Sequence, residues 1–182
     1  MKEISLNILD IAENSVKAKA TLTEIYVREV GDTLTLTIKD DGCGMDESTV
    51  KSVIDPFYTT RTTRKVGLGI PLLKLACEQT GGSLNIESSI DSVSHGTTVT
   101  ALFFKNHIDF TPLGDVVSSI VTLIQGHPNT DFLFRHTTDM GEVELDTREL
   151  RQVLEDVPLD TYEVILWIRD NLAEQYDAIN LN

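Results

Sequence analysis

The apolar positions of the first residues recur at helical spacing. Ile4, Ile8, Ile11, Ser15 and Ala18 form one line, and Glu3, Asn7, Asp10, Asn14 and Lys17 form a polar stripe beside it. That pattern predicts a helix over residues 2–18. The period then drops to two: Thr21–Glu29 and Thr33–Lys39 alternate around Gly31-Asp32, as two strands joined by a tight turn would. Asp46–Ile54 reads as a short helix stopped before Pro56, and residues 58–66 have no apolar period and read as a polar loop. In the next helix Pro71 sits in the tolerant first turn, and Gly81-Gly82 closes it after Thr80. Ser83–Ser88 and Thr97–Phe104 read as a second strand pair, linked through Asp91–Gly96.

After Asn106 the pattern changes character. Leu113–Gln125 reads as a helix ended by Gly126 and Pro128. Asp131–His136 and Glu142–Leu145 read as a hairpin turning at Asp139-Met140-Gly141, and Thr147–Leu154 and Thr161–Ala178 as helices. Leu150, Val153, Leu154, Val164, Ile165 and Ile168 are expected in the core, with Trp167 as an anchor there. The predicted fold is an α/β two-layer sandwich, a mixed sheet faced on one side by helices. Residues 1–106 would form that domain, and residues 107–182 a small acidic α+β appendage.

Charge sharpens the division. Residues 1–106 hold 11 Lys/Arg against 14 Asp/Glu, whereas residues 107–182 hold 4 against 15. Such a tail repels a nucleic acid backbone, so DNA or RNA binding is not expected. No apolar run approaches the ~20 residues that span a bilayer, and Glu3 and Asp10 interrupt what would be the core of a signal peptide. Cys43 and Cys77 lie far apart, which argues for a reducing compartment and against a structural zinc. A cytoplasmic protein, with no membrane association, is expected.

Three segments carry candidate chemistry. In Asp10–Ala18, Asp10 and Asn14 are four apart and share a helix face, a carboxylate able to polarise a water beside an amide oxygen able to ligate magnesium. In Asp40-Asp41-Gly42-Cys43-Gly44-Met45, alternate glycines let the chain turn closely around a flat ligand, and a carboxylate beside them can accept from an exocyclic amine. From Thr59 to Pro71 a hydroxyl-rich loop with Arg61, Arg64 and Lys65 runs into Gly67-Leu68-Gly69 at a helix start, where free N–H groups suit a polyphosphate. Each segment alone also has an ordinary reading, as a wet helix face, an Asp-Gly turn or a basic loop. No Walker loop is present.

Together and in this order, the segments resemble the GHKL superfamily of DNA gyrase, the large heat-shock chaperone, histidine kinases and MutL. The likeness covers about residues 1–105: an N box at Asp10–Ala18, a D-x-G-x-G box at Asp40–Gly44, an F-box-like stretch at Asp55–Thr60, a second glycine box at Gly67-Leu68-Gly69 and a closing Gly96-Thr97. Lys65 stands where the usual second box has its first glycine.

The resemblance implies a Bergerat-type pocket for ATP and Mg²⁺. Asn14 would ligate the magnesium and Asp40 would take the adenine amine. Gly42, Gly44 and Met45 would shape the floor, and Thr97 would hold a water or the carboxylate near adenine. Lys65, Gly67, Leu68 and Gly69 would meet the phosphates beneath a lid from Thr59 to Val66. Asp10 occupies the place of the superfamily's general base, a glutamate in its ATPases and serine kinases. None of the four histidines lies on a long helix in a phosphoacceptor context, so each reads as structural and a self-contained histidine kinase is not expected. Three readings stay open: an ATP-binding regulator, an anti-sigma-type serine kinase, and an adaptor that binds nucleotide without turnover. A separate protein partner is expected, and a homodimer stays open.

Overall fold

A computed structural model describes residues 3–55 and 68–180. The elements follow in the order α1 (Ile4–Lys17), β1 (Leu22–Val30), β2 (Thr33–Asp40), α2 (Glu47–Ile54), α3 (Gly69–Gln79), β3 (Ser83–Ser89), β4 (Gly96–Phe104), α4 (Val116–Gly126), β5 (Asp131–Thr138), β6 (Gly141–Asp146), α5 (Thr147–Leu154) and α6 (Tyr162–Asn180). The strands form one six-stranded mixed sheet in the order β3-β4-β2-β1-β5-β6. Every pairing is antiparallel except β1 with β5. This is the α/β sandwich that the alternation and helical periods predict.

One side of the sheet is apolar because the strands alternate in register. Ile86, Val99, Ile38, Ile25 and Phe134 lie opposite one another across five strands, and Leu84, Ala101, Leu36 and Val27 repeat the pattern one row further. Ile4, Ile8 and Ile11 of α1, Leu73 and Cys77 of α3, Ile120 and Leu123 of α4, and Ile168 and Leu172 of α6 close over those rows in a single core. Burying a side chain of this size contributes roughly 1.5–3 kcal/mol, so the helices stay on this side.

Residues 107–180 add no second sheet. β5 joins the free side of β1 in parallel, and β6 becomes the new edge. This segment also holds the start of α1: Ile4 and Ser5 donate their N–H groups to the carbonyls of Pro112 and Leu113, at 2.9 and 2.8 Å. Those are among the donors a helix start leaves unpaired. The change in charge near residue 106 is therefore a change of surface across one continuous core.

Two expected core residues are exposed. Trp167 is 52% accessible and Val153 82%. On α6 the buried line is Val164, Ile168 and Leu172, at four-residue spacing, and Trp167 stands one residue and so about a quarter-turn off it. On α5 Leu150 and Leu154 reach the core, while Val153 points away. Among the described residues no helix is long and apolar enough to cross a membrane.

Candidate nucleotide site

One row beyond Ile38 the helix-facing side stops being apolar. The cross-strand partners there are Ser88, Thr97, Asp40, Thr23 and Phe132. A polar row at the end of an apolar face needs partners, because a buried unpaired polar group costs about 1–3 kcal/mol. Asp40 finds three within the protein. Its Oδ1 accepts the N–H groups of Gly42 at 2.9 Å and Thr97 at 3.3 Å, and its Oδ2 accepts the hydroxyl of Ser15 at 2.7 Å. The hydroxyl of Thr23, fully buried, has no hydrogen-bond partner among the described residues.

The chain leaves the row through the glycine box. Cys43 donates its N–H to the carbonyl of Ala18 at 2.9 Å, and the Nδ1–H of His95 donates to the carbonyl of Gly42 at 2.6 Å. Gly44 adopts φ +71°, and a Cβ there would lie 1.8 Å from the carbonyl oxygen of Ser89, so no other residue fits. Met45 then donates its N–H to Ser88 Oγ at 2.8 Å, and Asp46 caps α2 by accepting from Thr49 N–H at 2.7 Å. The neighbouring Asp41 has a different task. It accepts from Thr21 and Leu22 N–H at 2.7 and 3.0 Å, pinning the start of β1; although burial opposes it, these bonds hold its carboxyl below the usual range.

Above the polar row opens a cavity of roughly 570 Å³, within the span that small-molecule sites occupy. Ile11, Ile38, Ile70 and Val99 supply apolar walls, Thr49 and Val53 of α2 close one side, and Asn14, Lys17 and Asp40 supply polar groups. A flat apolar ring with an amine on its edge matches these surfaces.

The predicted residues sort into three groups. Asn14, Asp40, Gly44, Met45 and Thr97 line the cavity. Gly42 lies behind the carboxylate, where an added Cβ would stand 2.9 Å from Ala18. Asp10 is exposed and stands beside the cavity instead of in its lining, with Gly69 against it: a Cβ on Gly69 would be 3.2 Å from Asp10 Cβ and 3.8 Å from Oδ2. Gly69 is buried at the first turn of α3, whose N-cap residue Leu68 is exposed and makes no side-chain cap. Asp10 therefore faces the positive end of a helix dipole, the place expected for phosphate. Lys65 and Gly67, with the loop from Thr59 to Val66, lie outside the described residues.

Sequence reading missed Ser15, Ser88 and Lys17 as site residues. Ser15 falls on the apolar line of α1, so its period marked it as core; it is buried, but for Asp40. Ser88 shares a strand face with Leu84 and Ile86, and pairing its strand with Thr97–Phe104 would have put it opposite Thr97. Each of the four histidines has a hydrogen-bond partner within the protein. His95 supports the glycine box, His127 meets Glu13 at 2.8 Å, His136 lies in a buried network and His107 caps a turn by accepting from Asp109 N–H.

Comparison with known proteins agrees with this geometry. The family model described as "Histidine kinase-, DNA gyrase B-, and HSP90-like ATPase" matches residues 2–108. A putative sensor protein of Shewanella frigidimarina is 28% identical over 104 residues, covering 57% of this chain and 15% of its own length. The signal transduction histidine-protein kinase AtoS of Escherichia coli is 32% identical over 89 residues, covering 48% of this chain and 14% of its own. The chain thus spans about a seventh of each of these relatives. Among solved structures, the N-terminal domain of a DNA repair protein superposes with TM-score 0.56 at 17% identity, covering 80% of this chain and 52% of that one. The ATPase domain of MutL from Aquifex aeolicus, complexed with ADP, superposes with TM-score 0.50 at 16% identity, covering 85% and 70%. The polar row, the glycine box and the family match converge, and the chain belongs to the histidine kinase-, DNA gyrase B- and HSP90-like ATPase family.

Proposed function

We propose that the cavity binds ATP with magnesium and that the chain is an ATP-binding regulator, using or sensing the nucleotide on behalf of a separate protein in the cytoplasm. The observation that carries this reading is Asp40. Its carboxylate is fixed by Ser15, Gly42 and Thr97 in the lining of an apolar-walled cavity, where it can accept one further donor, the exocyclic amine of adenine. The MutL domain complexed with ADP, which shares the fold, supports the choice of nucleotide.

The donor set also suits magnesium. Asn14 lines the cavity with an amide that takes no side-chain hydrogen bond among the described residues, and an amide oxygen is a hard ligand. No cluster of three acidic, His or Cys side chains that could cage a metal lies among the described residues. A magnesium ion here would rest on Asn14, water and the nucleotide's own phosphates, as this ion commonly does. Bound there it would neutralise phosphate charge and polarise the terminal phosphoryl group.

Calorimetry of the wild type, Asp40→Ala and Asn14→Ala tests the reading. Asp40→Ala should weaken ATP and ADP alike by about 1–3 kcal/mol, the cost of stranding the amine. Asn14→Ala should weaken ATP with magnesium far more than ADP without it. Equal affinity in wild type and Asp40→Ala would remove the base site.

A second reading, hydrolysis or transfer to a partner's serine, draws support from Asp10 beside the start of α3. Aspartate is one methylene shorter than glutamate, and a displacement of about 1 Å can cost on the order of a hundredfold in rate. The expected outcome is slow phosphate release that disappears in Asp10→Asn while ATP binding persists. Equal single-turnover rates in the two proteins would leave the nucleotide-sensing adaptor.

A further inference from the structure

Ser88 lies opposite Thr97 on the helix-facing side of the sheet, at the end of the row that contains Asp40. Its hydroxyl has three neighbours: Met45 N–H at 2.8 Å, the carbonyl of Gly96 at 3.1 Å and Thr97 Oγ1 at 2.7 Å. A serine hydroxyl owns one proton and two lone pairs. Met45 N–H occupies one lone pair, and the Gly96 carbonyl, which can only accept, takes the proton. The remaining lone pair can serve Thr97 only if Thr97 donates. All three contacts are satisfied in this single arrangement. The proton of Thr97 is then committed to Ser88, and Thr97 Oγ1 keeps only lone pairs for the cavity it lines.

We propose that Ser88 is a specificity-determining positioning residue, which turns Thr97 into an acceptor and so makes the sheet end of the cavity select amino-purines over keto-purines. Ser88 does this through Thr97. Beside Asp40, whose carboxylate also only accepts, an acceptor-only Thr97 presents no proton to a keto oxygen. A keto oxygen would be left facing two acceptors, whereas an amino group would meet both. The inference rests on the nucleotide reading above.

The test measures dissociation constants of ATP and inosine triphosphate on the wild-type chain, Ser88→Ala, Ser88→Thr and Thr97→Val. The wild type should prefer ATP. In Ser88→Ala the Thr97 proton is released to the cavity, so the preference should narrow by roughly fivefold to tenfold, through a relative gain for inosine triphosphate. Ser88→Thr keeps the hydroxyl and should keep the preference. Thr97→Val removes the acceptor and should weaken ATP without any gain for inosine triphosphate; this keeps the test decisive if Ser88→Ala does not fold. An equal loss of both nucleotides in Ser88→Ala, or a gain for inosine triphosphate in Thr97→Val, would overturn the proposal and leave the nucleotide reading standing. If the wild type binds neither nucleotide, the nucleotide reading itself falls and takes this proposal with it.

Discussion

Asp40 and Glu29 stand on the same helix-facing side of the sheet, Asp40 at the end of β2 and Glu29 near the opposite end of β1. Both break an apolar alternation, and both carboxylates accept several hydrogen bonds. They differ in what surrounds them. Glu29 meets His136 Nε2 at 3.0 Å and Lys105 Nζ at 2.9 Å, and His136 Nδ1 meets the hydroxyl of Tyr176 at 2.7 Å. Burial and the nearby Glu29 hold the Tyr176 phenol protonated, so it can donate to Nδ1 while the Nε2–H donates to Glu29. This circuit closes on itself, stitching α6 and the end of β4 to β1. Asp40 is held instead by neutral donors, two backbone N–H groups and one hydroxyl, and lines a cavity. A carboxylate neutralised by its own protein's lysine is part of the scaffold. One that is oriented by neutral donors in the lining of a cavity is prepared for a ligand.

The largest effects should come from removing each carboxylate, and only one of the two should reach nucleotide affinity. Glu29→Ala leaves the buried His136 Nε2–H and the half-buried Lys105 ammonium without their acceptor, and stability should fall by about 2–4 kcal/mol. The ATP affinity of the folded protein should not change. Asp40→Ala should weaken ATP by about 1–3 kcal/mol, and because it strands the Ser15 hydroxyl and two backbone N–H groups it should lower stability as well. Thermal denaturation and calorimetry on both variants decide it; an affinity loss in Glu29→Ala would mean the two ends are coupled, and the comparison would break.

A smaller effect separates them by pH. The hydrogen bond from His136, reinforced by Lys105 and opposed by burial, lowers the Glu29 carboxyl from 4.5 to about 2. A depressed carboxyl stabilises fully above its unfolded value and loses that contribution as pH falls through the folded one. The wild type should therefore lose stability between about pH 4.5 and 2 through this group, by about 1–2 kcal/mol after allowance for its partial exposure. Denaturation midpoints across that window should fall less in Glu29→Gln than in wild type. Equal slopes would place the acid sensitivity elsewhere.

How legible these two ends were in the sequence follows from the range of the forces that build them. The glycine box and Asp40 were legible because local backbone demands write themselves into consecutive residues: Gly44 must turn where only glycine fits. The strands and helices were legible through their periods, to within a few residues at each boundary. The Glu29 circuit was not, because its other members lie 76 to 147 residues from Glu29 and β5 reaches β1 only through their pairing register. Ser15 was half legible. Its place on the apolar line of α1 showed that it was buried, but burial alone does not say against what. Asp10 was read into the site from its spacing to Asn14, and the helix carries it to the margin, where α3 begins.

The smallest effect concerns that buried serine. Ser15 is 3% exposed, and its hydroxyl is the only protein donor to Asp40 Oδ2 among the described residues, at 2.7 Å. Ser15→Ala deletes one hydrogen bond and almost no volume, so stability should change by about 0.5–1.5 kcal/mol. Gly42 and Thr97 still hold Oδ1, so the carboxylate keeps its place while losing part of its fixed orientation. ATP affinity should fall by roughly threefold to tenfold, well short of the Asp40→Ala loss. Isothermal titration of the three proteins in one buffer orders the effects. If Ser15→Ala costs as much as Asp40→Ala, the backbone donors do not suffice to orient the carboxylate, and the contrast with Glu29 would rest on a single hydroxyl. If it costs nothing, Gly42 and Thr97 alone prepare the site, and the contrast lies wholly in the backbone of the glycine box.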